Sequence, residues 1–82
     1  MNIFKDLLVL ECASVLAGPA VGAFFAEMGA TVIKLEPLQG DVTRSWRLSS
    51  ESPQDDSAHS VSAYFSSVNW GKHSLALDLK QA

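Results

Sequence analysis

Residues 20–28 form a helix-length segment with almost no polar face, and this segment limits the possible folds more than any other part of the sequence. Pro19 precedes it, and proline suits the first turn of a helix because its missing N–H is not needed there. Gly29 follows it and can take the left-handed conformation that closes helices. Since Glu27 is the only charged residue between them, we predict a helix that needs cover on more than one side.

Strand-like segments flank this helix. Residues 7–10 (LLVL) are a short apolar run, typical of a strand covered on both faces of a parallel sheet. So short a run is also compatible with a buried helical turn, but we favour the strand. Residues 31–36 (TVIKLE) are β-branched and partly alternating, and Pro37 ends them. These segments predict an α/β fold that begins with a parallel, right-handed βαβ unit.

Regular periodicity is absent from residue 37 to about residue 62. Serine occupies six of the fourteen positions 49–62, which predicts a mobile surface loop there. We predict a short helical turn over residues 63–67, followed by a turn at residues 69–71. Residues 74–79 then alternate, with Leu75, Leu77 and Leu79 on one face, which predicts a third strand.

The size of the chain limits its core. With 82 residues, it would bury only about 60% of the surface that its unfolded state exposes, although 48% of its residues are apolar. Two or three parallel strands with one apolar helix do not close a core, because a parallel sheet needs helices on both faces. We therefore expect residues 1–82 to be the first part of a larger domain, whose remainder is absent from this chain.

Charge and composition exclude several classes of partner. Six Lys and Arg against nine Asp and Glu form no basic stripe, so we expect no nucleic-acid binding. The apolar run at residues 7–10 is far too short for a membrane span, and we expect no membrane association. Cys12 is the only cysteine, which rules out an intrachain disulfide and suits a reducing compartment. We therefore expect a cytoplasmic location.

The loop between the first strand and the helix invites comparison with a dinucleotide site. A helix N-terminus attracts anions, and Glu36 lies near the position of a ribose-binding acid. However, the fingerprint G-x-G-x-x-G is missing, because Gly18, Gly22 and Gly29 are spaced four and seven residues apart. A Walker A loop is also missing. We therefore disfavour nicotinamide dinucleotide binding.

Other candidate sites are weaker. His59, His73 and Cys12 lack the spacing of zinc ligands, so we predict no metal site. Cys12, just past a buried strand, is interpreted as a small core residue rather than a nucleophile. Several basic side chains could clamp phosphates, although scattered surface charge is the more common explanation. These are Arg44, Arg47, Lys72 and Lys80.

Four segments resemble the successive N-terminal motifs of the family III CoA-transferases, also called the CaiB/BaiF family. The segments are residues 15–19 (VLAGP), 28–37 (MGATVIKLEP), 40–46 (GDVTRSW) and 69–80 (NWGKHSLALDLK). Formyl-CoA transferase, the carnitine CoA-transferases and α-methylacyl-CoA racemase share these motifs. Because the four motifs occur in order and span nearly the whole chain, the resemblance is specific.

The resemblance implies a Rossmann-like domain in a much longer polypeptide, two copies of which interlock as a homodimer. It also implies coenzyme A as the cofactor, bound as acyl-CoA, with a carboxylic acid as acceptor and no metal. The implied coenzyme A contacts are Leu16 and Ala17 in the first loop, and Leu77, Asp78, Leu79 and Lys80 further along.

The sequence departs from the family pattern at two positions. Formyl-CoA transferase has a glutamine where this chain has Leu16, and several relatives have a phosphate-binding arginine where it has Pro37. The nearest cations are Lys34 and Arg44, and the sequence does not decide which residue would bind the CoA phosphates in place of that arginine.

Family chemistry uses an aspartate that attacks an acyl-CoA to give a mixed anhydride and then an aspartyl-CoA thioester. Such a nucleophile splits one difficult exchange into easier steps. We assign no catalytic residue in this chain, because none of its aspartates (Asp6, Asp41, Asp55, Asp56 and Asp78) lies in the matching context. We expect the nucleophile beyond Ala82 and the chain alone to be inactive. Two alternatives stay open: an acyl-CoA racemase on the same fold, and a truncated, non-catalytic folding or interaction module.

Overall fold

The computed structural model describes residues 2–46 and 62–81. In chain order, the elements are strand β1 (Leu8–Glu11), helix α1 (Ala17–Glu27), strand β2 (Thr31–Glu36), a 3₁₀ helix (Val42–Ser45), helix α2 (Ala63–Asn69) and strand β3 (His73–Ala76). The three strands pair in parallel in the order β1-β2-β3. The predicted α/β class and the parallel βαβ start are confirmed. Apart from Ser62, the predicted loop at residues 49–62 lies outside the described residues.

Helix α1 ends where its flanking residues predict, but it begins at Ala17, two residues before the predicted start at Pro19. The Ala20 N–H donates to the Leu16 carbonyl at 2.8 Å, so Pro19 occupies a first-turn position where no N–H is required. At the other end, Gly29 has φ 98°, and the following Ala30 N–H donates back to Phe25 O at 3.0 Å. This return bond is the type that left-handed glycine caps allow. The predicted stop at Gly29 is therefore confirmed.

Helix α2 begins at a serine cap and is longer than predicted. The Ser62 hydroxyl oxygen accepts from the Phe65 N–H at 3.0 Å, and the same hydroxyl donates to Thr43 O at 2.6 Å. The helix continues to Asn69, two residues beyond the predicted turn. Ser62 thus joins the start of α2 to the 3₁₀ helix.

The third strand is shorter than predicted. β3 ends at Ala76, and Leu77 makes one further ladder bond, its N–H donating to Glu36 O at 2.9 Å. The chain then turns, because the Asp78 carboxylate accepts from the Lys80 N–H at 3.0 Å. Such a local side-chain bond competes with strand pairing. The prediction of a strand through residue 79 was therefore wrong for residues 77–79.

The two faces of the sheet differ in an unexpected way. Helix α1 packs on β1 and β2, and the β2 side chains on that face are Val32, Lys34 and Glu36, all buried. The opposite face is apolar, and the described residues provide no helix to cover it; Leu8 and Leu10, for example, are 59% and 60% exposed. Strand register places five apolar residues on this face, which we call the leucine face: Leu8, Leu10, Ile33, Leu35 and Leu75.

Candidate functional site

A cleft of about 1030 Å³ lies where the three parallel strands end. Its walls are residues 12–14 after β1, residues 35–42 with Arg44 and Ser45 at the end of β2, and residues 77–80 after β3. Ligands of parallel α/β sheets bind outside the carboxyl ends of the strands. The cleft is therefore the candidate functional site.

The structure brings four of the six predicted coenzyme A contacts together. Leu77, Asp78, Leu79 and Lys80 all line the cleft, and all are exposed. Leu16 and Ala17 are not among the lining residues: Leu16 is the N-cap of α1, and Ala17 is its first residue. The same loop contributes residues 12–14 to the cleft instead. Sequence reasoning missed residues 12–14 and the cleft residues after β2. Because ligands bind beyond the carboxyl ends of parallel strands, the predicted ends of β1 and β2 could have indicated them.

The loop between β1 and α1 contains a strained residue. Val15 has φ 73°, in the left-handed region that β-branched residues rarely adopt. Such a conformation costs about 1–3 kcal/mol and persists only where the surroundings hold it. This strain lies one residue beyond the cleft wall at Ser14, and no sequence pattern indicated it.

A buried charge network lies directly behind the cleft. It consists of Glu11, Lys34, Asp41 and Lys72, whose side chains are at most 4% exposed. Lys34 Nζ lies 3.0 Å from Glu11 Oε2 and 2.9 Å from Asp41 Oδ2. Lys72 Nζ lies 2.6 Å from the other Glu11 oxygen, Oε1. The negative charges of two carboxylates and the positive charges of two ammonium groups therefore cancel in the interior.

Lys72 is neither a phosphate clamp nor a surface charge, so both predicted roles were wrong for this residue. Its ammonium also donates to Pro19 O at 2.8 Å and to Asn69 Oδ1 at 2.9 Å, which ties α1 to the end of α2. Burial lowers the pKa of Lys72, and the Glu11 carboxylate offsets only part of this effect.

Asp41 caps the 3₁₀ helix from within the network. Its Oδ1 accepts from the Thr43 N–H at 2.9 Å and from the Thr43 hydroxyl at 2.7 Å. Its Oδ2 faces Lys34 as an ion pair rather than as an aligned hydrogen bond. Burial acts to raise the pKa of Asp41, but the Thr43 hydrogen bonds and Lys34 outweigh it and lower that pKa. The carboxylate is therefore held ionised.

A separate ion pair, between Arg44 and Glu36, lies in the cleft wall itself. Arg44 Nε and Nη2 donate to the two oxygens of Glu36, each at 2.8 Å, and the Arg44 guanidinium stacks 3.9 Å from the centre of the Phe65 ring. The Asp41 N–H (2.7 Å) and the Ser74 hydroxyl also donate to Glu36. Burial acts to raise the pKa of Glu36, but these donors lower it to about 2. Because these groups already surround its carboxylate, Glu36 is poorly suited to bind a ribose.

The other candidate residues are dispersed. Cys12 is exposed and lines the cleft, so the prediction of a core residue was wrong. It lies two positions after Leu10, and strand alternation therefore carries it toward the leucine face. His73 is exposed at the start of β3, whereas Arg47 and His59 lie outside the described residues. Across residues 2–46 and 62–81, no cluster of His, Cys, Asp or Glu has the makings of a metal site.

The fold and the position of the cleft define a parallel α/β unit of the kind that places its ligand site beyond the strand ends. Residues 4–82 match CoA-transferase family III. The succinyl-CoA:mesaconate CoA-transferase of Haloarcula hispanica is 43% identical over 79 residues, which are 96% of this chain and 19% of that protein. The succinate–glutarate CoA-transferase of Agrobacterium fabrum is 47% identical over 77 residues, which are 93% of this chain and 19% of that protein.

The crystal structure of a CaiB/BaiF family protein from Brucella suis superposes with a TM-score of 0.83 at 36% identity, covering 98% of this chain and 20% of that one. The chain belongs to CoA-transferase family III, as its motifs predicted. It spans about a fifth of the length of these relatives. Within the described residues, none of the helices combines the length and apolarity needed to cross a membrane.

Proposed function

We propose that this chain is the N-terminal, coenzyme A-binding segment of an enzyme that transfers CoA from an acyl-CoA to a carboxylic acid. The observation that carries the proposal is the match to CoA-transferase family III along residues 4–82. The relatives named above are both CoA-transferases, at 43% and 47% identity, which favours transfer over racemisation. We place the enzyme in the cytoplasm, in keeping with the single cysteine of these 82 residues.

Coenzyme A would lie in the cleft, against residues 77–80 and the loop that leads into α1. Three features support this placement. Lys80 is an exposed cation in the cleft wall, suited to a phosphate. Leu16 has no side-chain oxygen, so the N–H groups of Ala17 and Gly18 keep their capacity to bind an anion. The cleft volume of about 1030 Å³ suits a ligand of coenzyme size.

The two other candidate phosphate anchors are engaged elsewhere. The ammonium of Lys34 is turned into the buried charge network, and the guanidinium of Arg44 is directed to Glu36 and Phe65. We therefore favour Lys80 as the phosphate contact of this segment.

The proposed reaction begins when an aspartate carboxylate attacks the thioester carbonyl, which releases CoA thiolate and forms a mixed anhydride. The thiolate then attacks the aspartyl carbonyl, which releases the donor acid and leaves an aspartyl-CoA thioester. The acceptor carboxylate repeats the two steps in reverse. Asp41 is buried in an ion pair with Lys34 and Asp78 holds a turn, so we place the nucleophile elsewhere in the full-length enzyme.

We also propose that the full-length enzyme is an interlocked homodimer. The leucine face supports this idea, because an exposed apolar sheet face needs cover from elsewhere. Sedimentation equilibrium of the full-length enzyme would measure its mass, and a stable monomer would contradict the proposal.

The test of function is an assay of the full-length enzyme with succinyl-CoA and either mesaconate or glutarate, the compounds in the relatives' names. Acetyl-CoA with oxalate, from the name of the relative in Acetobacter aceti, extends the panel. We expect a new acyl-CoA and, after borohydride treatment, a modified aspartate by mass spectrometry. Exchange of the α-proton for deuterium without an acceptor would instead indicate a racemase. Absence of both reactions across the panel would overturn the proposal.

A further inference from the structure

Two loops line the cleft, and one buried side chain joins them. Residues 12–14 belong to the loop before α1, and residues 37–42 lead from β2 into the 3₁₀ helix. Lys34 projects from β2 between these loops. Its Nζ donates to Ala13 O at 3.0 Å on one side and lies 2.9 Å from Asp41 Oδ2 on the other. Lys34 is not itself a lining residue, so it acts from behind the wall.

The chemistry of an ammonium group suits this role. Lys34 donates hydrogen bonds to Glu11 and Ala13, and its positive charge pairs with the Asp41 carboxylate. Its side chain is 2% exposed, so water does not compete for these contacts. With two buried carboxylates and a carbonyl around it, this ammonium is committed to the protein interior rather than to a phosphate in the cleft.

Both loops have conformations that need support. The loop before α1 contains Val15 at φ 73°, a strained residue two positions after the carbonyl that Lys34 holds. In the opposite loop, Asp41 starts the 3₁₀ helix by accepting from Thr43, and Lys34 fixes the free oxygen of that carboxylate. One ammonium therefore sets the position of both walls.

We infer that Lys34 is a positioning residue for acyl-CoA: it holds the loop before α1 and the loop after β2 at the separation that the ligand requires. The inference rests on the proposed function. Glu11 anchors the ammonium, and Lys72 holds the second Glu11 oxygen. This shared carboxylate provides a matched control, because each lysine can be removed together with Glu11 without changing the net charge.

The experiment compares two double variants of the full-length enzyme. Lys34→Met with Glu11→Gln removes the contacts to Ala13 and Asp41, whereas Lys72→Met with Glu11→Gln leaves them in place. We expect the first to raise KM for succinyl-CoA at least about tenfold with little change in kcat, because a displaced wall weakens binding. The second should change this KM by less than about twofold, even if it lowers Tm equally. Equal KM values in the two variants would overturn the inference.

Lys34→Arg provides a second variant if the first does not fold. It keeps the charge, but its planar guanidinium cannot point donors at these three partners. We expect a raised KM for succinyl-CoA in this variant, and an unchanged KM would contradict a positioning role.

Amide hydrogen exchange separates the inference from the proposed function, because it needs no substrate. In the Lys34 variants, exchange should accelerate at residues 12–16 and 38–42 while β2 stays protected. If the wild-type enzyme transfers no CoA, the proposed function fails and hydrogen exchange alone decides the inference. Unchanged exchange in both loops would overturn it.

Discussion

The carboxylate of Glu11 occupies the space where a side chain on Gly22 would lie. A Cβ added at position 22 would overlap Glu11 Oε1, the oxygen that pairs with Lys72, and would approach Lys72 Cε to 3.2 Å. Gly22 therefore lies at this position because the absence of a side chain lets α1 approach the buried charge network. Gly22, one of the glycines whose spacing did not fit the dinucleotide fingerprint, is thus explained by packing.

Gly22→Ala should destabilise the enzyme, although alanine normally stabilises a helix by about 0.5–1 kcal/mol relative to glycine. The reason is the overlap with Glu11, and overpacking of this kind costs about 1–3 kcal/mol. The measurement is denaturant unfolding of the full-length enzyme. Ala20→Gly, at an exposed α1 position, is the control and should cost about 1 kcal/mol from helix propensity alone. A stabilised Gly22→Ala variant would show that Glu11 moves aside freely.

The Glu36 carboxylate should make stability depend on pH in the acid range. Its pKa falls from 4.5 to about 2 on folding, so its contribution is fully present above pH 4.5 and is lost as pH falls toward 2. At about 1.4 kcal/mol per pKa unit, the contribution is on the order of 3 kcal/mol.

Glu36→Gln tests this dependence. The variant should be less stable than wild type at pH 7, and the two should converge near pH 2 in unfolding free energies measured across the acid range. Glu27→Gln removes the same charge from an exposed position and controls for net charge. Parallel stability curves for wild type and Glu36→Gln between pH 4.5 and 2 would contradict the assignment.

The leucine face should behave as a buried surface in the full-length enzyme. Leu10 and Leu75 are 60% and 46% exposed here, yet we expect truncation of either to alanine to cost about 2–5 kcal/mol, the range of buried leucines. Ile3→Ala, at a residue 66% exposed and outside the sheet, is the control and should cost less than about 0.5 kcal/mol. Thermal unfolding of the purified variants measures both effects. If the leucine variants match the control, the face is not covered.

Lys80→Ala should weaken acyl-CoA binding. An exposed ion pair contributes about 0.2–1 kcal/mol, so we expect KM for the acyl-CoA donor to rise up to about fivefold with kcat unchanged. The effect should shrink at high ionic strength, because salt screens exposed charges. Lys5→Ala is the matched control, since Lys5 is an exposed lysine that does not line the cleft. Equal KM values for the two variants would exclude Lys80 as a phosphate contact.

Local signals explain which parts of the fold were predictable. Pro19, Gly29 and Pro37 bound α1 and β2 through backbone restrictions that act within a few residues. The third strand was predicted too long because the Asp78 bond to Lys80 competes with its alternating pattern. The motif resemblance predicted the wall at residues 77–80, whereas the walls after β1 and β2 depend on where parallel strands end together in space.

The sequence by itself determined the α/β class, the C-terminal end of α1 and the family, because each depends on patterns within one continuous segment. Only the tertiary structure decided that Lys34 and Lys72 lie inside while Leu8 and Leu10 lie outside. A period-2 pattern separates the two faces of a strand but does not say which face the helices cover. The pairing of Glu11 with Lys72 joins residues 61 positions apart, and no local pattern encodes such a contact.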